Sequence, residues 1–472
     1  MFRRVLMRRA YNAGQWDTSR HHADKLLQKL RERSLARSVI VRSYWNEGRF
    51  QDVIDCTTNW PDELSKSYRE QAIDRLNVQG GAKKLTMMKE EELQRLRSEQ
   101  PQPTVPIHWS TEQMDANFSQ EGNRVWFRYP EGYVFWDMPT DYDLALTHPA
   151  LLCLTAEVLL SPWVPISKDM TPHERETGNR CSLSFSAGTD STAAAAVMLD
   201  STLLGYHKRS FESVLDHRNA ERLIDYLNAT GDREVLSVSS NHELIRTNHG
   251  KPIGFSTDFA CATHLLLLAD HFDLGAIGFG MPIDNTYLWK GRKFRTFQEI
   301  HYYKYWTKRF AQAGLDLLFP IASISEAGAL MVVKQTPWLE HLNSCMRGDG
   351  NRGCGCCWKC FHKNGPLGRP FDITAPEIQT YLNKRPIPTA THALWALQIM
   401  GHEDQLTDLS HLFESDYNWW IMAYPPGFDL LQDRWRLSIE TRILSILPTM
   451  PKPYKLDNIN HFDEEKTVDE QP

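Results

Sequence analysis

Two stretches of the chain hold residues whose types and spacing can do chemistry. The first is Ser186-Ala187-Gly188-Thr189-Asp190-Ser191. It follows residues 181–185, a short run suited to a buried strand, and precedes residues 192–199, mostly small or good helix formers. Strand, polar loop and helix in that order aim backbone N–H groups and the positive helix end at one spot, where an anion is favoured. Ser186, Thr189 and Ser191 add hydroxyl donors, and Gly188 permits close approach or an unusual backbone angle. Asp190 should not face phosphate bare; it suits capping the helix or binding the Mg²⁺ that accompanies ATP. The loop therefore reads as a grip for the pyrophosphate end of ATP. The plainer reading is an ordinary helix N-cap of Ser, Thr and Asp. A P-loop is excluded, because no Gly-Lys-Ser/Thr ends the loop.

The second stretch is Cys345-x8-Cys354-x2-Cys357-x2-Cys360, which holds four of the nine cysteines. Its spacing and interleaved glycines suit tetrahedral Zn²⁺ held by four thiolates on turns that fold back on themselves. A disulfide cluster is the competing reading, but the remaining cysteines are scattered and no secretion signal is visible. Cys356 is a fifth thiol that could replace Cys354 or Cys357. Four thiolates leave no open coordination position, so the zinc is expected to be structural.

The loop resembles the PP-loop, Ser-Gly-Gly-x-Asp-Ser, of the N-type ATP pyrophosphatases. Ser186, Gly188, Asp190 and Ser191 match, and Ala187 replaces the first glycine. Alanine is poor there if the site needs a positive φ. A PP-loop followed about 155 residues later by this cysteine motif is similar to the 7-cyano-7-deazaguanine synthases. The resemblance covers roughly residues 180–364. It implies ATP binding at 186–191, catalytic roles for Asp190 and Ser191, and zinc on Cys345, Cys354, Cys357 and Cys360. It also implies adenylation of a carboxylate or amide, AMP and pyrophosphate release, and attack by ammonia or an amine. The family's Pro-Gly-Arg-Asn stretch is missing; the nearest equivalent is Gly254-Phe255-Ser256-Thr257-Asp258-Phe259. Its Pro-Asp-Cys element is replaced by Met281-Pro282-Ile283-Asp284. ATP activation thus carries over better than the deazaguanine substrate. Asp258 and Asp284 are pocket residues on this reading, or else helix caps or surface groups. Lys290, Arg292, Lys293 and Arg295 form a basic run that faces either solvent or an acidic group. A PP-loop amidotransferase acting on a sugar or cell-surface polysaccharide precursor is the alternative, and a non-catalytic nucleotide-binding scaffold the second alternative.

These motifs need a frame, and the intervening pattern predicts one: an α/β fold with a doubly wound, mostly parallel sheet. Strands are expected at 181–185, 234–238, 276–280 and 317–321, the last at an edge or an end because of Pro320, and 203–206 and 211–215 read as short strands or loops. Helices are expected at 220–229 and 259–272. Ser323-Ile324-Ser325-Glu326 reads as a capping box before a helix over 327–333.

Domain boundaries follow. Residues 1–82 read as helical and tetratricopeptide-like, because Gly14 and Trp16 recur 34 residues on as Gly48 and Phe50. The basic start mimics a transit peptide, but a first repeat helix is simpler. Residues 83–175 hold a charged connector helix (83–100), a hairpin of 124–129 and 133–136 around a three-residue turn, and a helix over 144–160 broken near Pro149. Residues 176–366 form the PP-loop domain, 367–450 a helical subdomain around Trp419, Trp420 and Trp435, and 451–472 a flexible acidic tail. Hydrophobic content is 41%, as in globular chains, and the net charge of −6 argues against tight nonspecific nucleic-acid binding. No membrane span is visible, so a cytoplasmic protein is expected, with a protein partner possible at the repeat-like region.

Overall fold

The computed structural model describes residues 2–47, 49–62, 64–69, 72, 106–107, 114–164, 175–211, 218–249, 251, 253–345, 350 and 352–464. The chain divides into two compact units, Met1–Leu93 and Gln94–Pro472.

The described part of the first unit is helical. Helices Phe2–Asn12, Trp16–Leu27 and Arg33–Asn46 pack around Met7, Ala23, Leu26, Ala36 and Ile40, and helix Phe50–Thr57 adds Val53 to a second cluster with Val41. Tyr11 meets Trp16 edge to face with ring centroids 5.1 Å apart. Trp45 meets Phe50 in the same way at 5.0 Å, 34 residues further on. Each aromatic pair thus packs across the turn of one helix pair. The predicted connector helix over 83–100 lies outside the described residues.

The second unit is built on an eight-stranded sheet among the described residues. Its strands are β1 (Phe118–Glu121), β2 (Arg124–Tyr129), β3 (Gly132–Asp137), β4 (Arg180–Ser184), β5 (Leu203–Arg209), β6 (Val235–Ser240), β7 (Leu274–Phe279) and β10 (Asp316–Leu318). The order is β1-β2-β3-β6-β5-β4-β7-β10. β6, β5, β4, β7 and β10 run parallel, whereas β1, β2 and β3 are antiparallel and join at β6. A separate ribbon pairs β8 (Leu288–Trp289) with β9 (Lys293–Phe294). Successive strand residues enter different cores, as the period of two requires. Leu203, Ile277 and Leu317 join the core with helix Pro149–Leu160, while Leu204, Ala276 and Leu318 join that with helices Thr189–Val197, Arg218–Thr230 and Asp433–Leu444. Both faces are covered, as a parallel sheet demands. The chain leaves β4 toward β5 on one side and returns to β7 on the other, so the sheet has a switch point between β4 and β7.

Several predicted elements change in detail. Tyr129 pairs with Gly132, so the hairpin turn has two residues, not three. Pro149 starts its helix at the first turn, with His148 as N-cap, instead of breaking one. The apolar run 259–272 is a 3-10 turn, Ala260–Ala262, followed by a short helix, Thr263–Leu267. Ser325, not Ser323, caps helix Glu326–Lys334 by accepting from Gly328 N. Most of the strand expected at 211–215 lies outside the described residues. Residues 451–464, expected to be loose, instead pack down: Leu456 and His461 are fully buried and Asn460 bridges to Lys293.

Candidate functional site

Strand β4 ends at Ser184, and the loop 186–191 turns directly into helix Thr189–Val197 at the switch point. The unusual backbone angle falls on Ala187 (φ 54°), not on Gly188, whose φ of −89° any residue adopts. Gly188 is the N-cap residue, and it offers no side chain to cap with. The loop is laced internally: Ser186 N donates to Ser191 Oγ at 3.2 Å, and Ser191 Oγ donates to the Gly188 carbonyl at 3.1 Å. Gly280, just past β7, fits because its backbone passes the loop helix closely; a Cβ there would stand 2.9 Å from Ser191 N and Cα.

The four cysteines gather as their spacing predicted. Sγ of Cys345, Cys354, Cys357 and Cys360 all lie within 4.8 Å of one another. The separations are 3.8 Å for Cys345–Cys357, 3.9 Å for Cys354–Cys360 and 3.6 Å for Cys357–Cys360. Tetrahedral Zn–S bonds of about 2.3 Å place sulfurs about 3.8 Å apart, so the cluster can hold a metal ion such as zinc. Backbone N–H groups of Cys354 and Gly355 point at the sulfurs of Cys345 and Cys360, at 3.2 and 3.3 Å. Cys356 stays outside this set, exposed, with its sulfur 3.6 Å from that of Cys354. Buried Asn219, from helix Arg218–Thr230, steadies the strand of chain entering the cluster by donating to the Cys345 carbonyl at 2.5 Å.

The residues flanking the cysteines reach the loop. Ser344 Oγ accepts from Thr189 N at 2.8 Å and lies 2.6 Å from the Thr189 hydroxyl. One donor expected to face an anion is therefore already paired. Lys363, three residues after Cys360, donates to Asp190 at 2.7 Å and stands 2.8 Å from Glu326 Oε2. Asp190 thus pairs with a lysine instead of capping the helix. Asp284 accepts from Glu326 N at 2.8 Å, which fixes the start of helix Glu326–Lys334. His362 and His392 complete this buried group, 3.7 and 3.9 Å from Glu326 Oε2. Burial opposes the Glu326 charge, but Lys363 and the histidines hold its carboxyl well below the usual range. Burial first, and the neighbouring Glu326 next, push Asp284 well above its own. Burial disfavours the Lys363 ammonium, yet Asp190 and Glu326 outweigh it and raise its pKa.

Asp258 goes elsewhere: it is exposed and accepts from Tyr302 at 2.9 Å. Of the basic run, Arg292 donates to the carbonyls of Ile387 and Pro386, and Arg295 to those of Thr286 and Asn285. Both arginines are internal staples, not free cations awaiting a ligand. Ser344, Glu326, Lys363, His362 and His392 were not singled out from the sequence as site residues. Their only signal was position: three of them flank the cysteine motif within three residues. Among the described residues no helix is long and apolar enough to cross a membrane.

A family of unknown function, DUF6395, matches residues 305–455, about a third of the chain. That stretch contains Glu326, the four cysteines, Lys363 and His392, but not the loop 186–191. No curated protein and no solved structure matches.

Proposed function

We propose that this chain is an ATP-dependent activating enzyme of the PP-loop type, resembling the 7-cyano-7-deazaguanine synthases. The observation that supports the reading is the place of the loop 186–191: at the carboxyl end of a central parallel strand, at a helix start, beside the switch point where such sheets bind ligands. Ser186, Ala187, Gly188, Thr189, Asp190 and Ser191 hold the phosphates of ATP with Mg²⁺, and Lys363 sets a positive charge beside them. A substrate carboxylate or amide oxygen attacks the α-phosphorus, the α–β anhydride bond breaks, and pyrophosphate leaves. Ammonia or an amine then forms the C–N bond, loses a proton to solvent, and AMP departs with the bonding pair. The loop's task is positioning and charge neutralisation. Zinc on Cys345, Cys354, Cys357 and Cys360 is structural and suits a reducing cytoplasm. The helical unit 1–82 serves as a docking surface for a protein partner.

The test is product analysis of ATP with Mg²⁺, zinc-loaded protein and a panel of 7-carboxy-7-deazaguanine, acidic sugars and ammonia, with Asp190→Ala as control. AMP and pyrophosphate that appear with one substrate and vanish in the control support the proposal. ADP and phosphate, or no nucleotide binding, sink it. ATP binding without turnover across the panel favours a nucleotide-binding scaffold. Two observations lean that way: the strained Ala187 and the Thr189 N–H already engaged by Ser344.

A further inference from the structure

Glu326, His362 and His392 offer one ligand atom each, all within 4.8 Å of one another. They come from three separate elements: the start of helix Glu326–Lys334, the turn after Cys360, and helix Ala390–Met400. Both histidines are fully buried and Glu326 is 7% exposed. Neither ring nitrogen of His362 has a hydrogen-bond partner, nor does Nδ1 of His392, nor Oδ1 of the adjoining Asp284. Buried polar atoms left this way are costly, and several in one cluster call for a common partner. The charges agree. Asp190 and Glu326 both pair with the one ammonium of Lys363.

We propose that Glu326, His362 and His392 form a second metal site, distinct from the thiolate cluster, for one divalent transition-metal ion. Two imidazoles and one carboxylate are a donor set for Zn²⁺, Fe²⁺, Mn²⁺ or Co²⁺, not for Ca²⁺. Bonds of about 2.1 Å in a tetrahedron separate ligand atoms by about 3.4 Å, so the 3.7 Å between His362 Nδ1 and Glu326 Oε2 needs only slight closure. His392 Nε2 lies 3.0 Å from the His362 carbonyl. In the tautomer that donates there, Nδ1 keeps the lone pair a metal needs, and metal-bound histidines are commonly oriented through such a carbonyl. Lys363 stays with Asp190, and it is the rival account: its ammonium alone would then balance Glu326. The site does not depend on the nucleotide reading.

The experiment is a Co²⁺ titration of the metal-free full-length protein, followed by visible spectra and by elemental analysis after desalting. Two equivalents are expected: one with the sulfur charge-transfer band of a tetrathiolate, one without it. Glu326→Gln and His392→Ala each lose the second equivalent and keep the first; Cys357→Ser weakens the first and keeps the second. Saturation of the unmodified protein at one equivalent overturns the proposal and leaves Lys363 as the counter-charge to Glu326. So does a second equivalent that survives in Glu326→Gln. Both outcomes are read without His392→Ala, should that variant not fold.

Discussion

At the scale of single residues, Ala187 holds a left-handed backbone and Lys363 a buried ion pair, and both set the shape of the loop. Ala187 holds a φ of 54°, where a Cβ costs about 1–2 kcal/mol, while glycine loses about 0.5–1 kcal/mol of that advantage through backbone entropy. Ala187→Gly is therefore expected to raise stability by about 0.5–1 kcal/mol, seen as a higher urea midpoint with an unchanged slope. A lower midpoint would show that the angle is not strained. Lys363 is 5% exposed and faces two carboxylates. Lys363→Met strands those charges and is expected to cost about 3 kcal/mol, the low end for breaking a buried pair because Asp190 keeps 30% exposure. A loss below about 1 kcal/mol would mean that water reaches the group freely. The Ala187 strain was visible in the sequence as a condition, because the motif there calls for glycine. The role of Lys363 was not, since its partners lie 37 and 173 residues away and nothing local announces them.

At the scale of elements, the loop depends on what packs behind it. A Cβ on Gly280 would meet backbone atoms of Ser191 at 2.9 Å. Gly280→Ala is expected to cost about 1–3 kcal/mol by overpacking and, on the proposed nucleotide-binding reading, to weaken nucleotide retention. Binding equal to that of the unmodified protein would dissociate β7 from the loop's geometry. The cysteine cluster is the second support, through Ser344 and Lys363 on its two flanks. On the reading that the cluster holds a metal, its chelation should therefore raise hydrogen exchange across residues 186–197 together with 344–364. Protection lost only at 344–364 would refute that coupling. The strands β4 to β7 and helix Arg218–Thr230 were legible because period and composition agree there. The segment 259–272 was misread: its apolar content is real, but burial and helix content are separate properties, and the chain satisfies the first with little of the second. The capping box was placed two residues early, because Ser323 and Ser325 both precede an apolar run and only packing chooses between them.

At the scale of the whole molecule, the hairpin was legible as a hairpin, but its addition to the parallel sheet through β6 was not, because strand pairing at long range leaves no periodic mark. Next to it lie histidines kept neutral by burial: His242 is held well below its ordinary value and His264 is pushed down to about 3. Their unfolded values sit near 6.5, so below that pH the unfolded chain takes up protons that the folded chain refuses. Stability should fall as pH drops from about 6.5, by up to about 1.4 kcal/mol per pH unit for each group. Urea midpoints at pH 7, 6 and 5 check this, and His264→Gln should flatten the trend. Equal midpoints across that range would show that these rings are hydrated. The contacts of Ser344 with Thr189, and of Lys363 with Asp190, span 155 and 173 residues. During synthesis the loop therefore leaves the ribosome long before the residues that brace it. On the reading that the thiolate cluster holds a metal, a chain made in metal-starved cells would carry an unbraced loop, and supply of the metal would set how much of the newly made protein completes it.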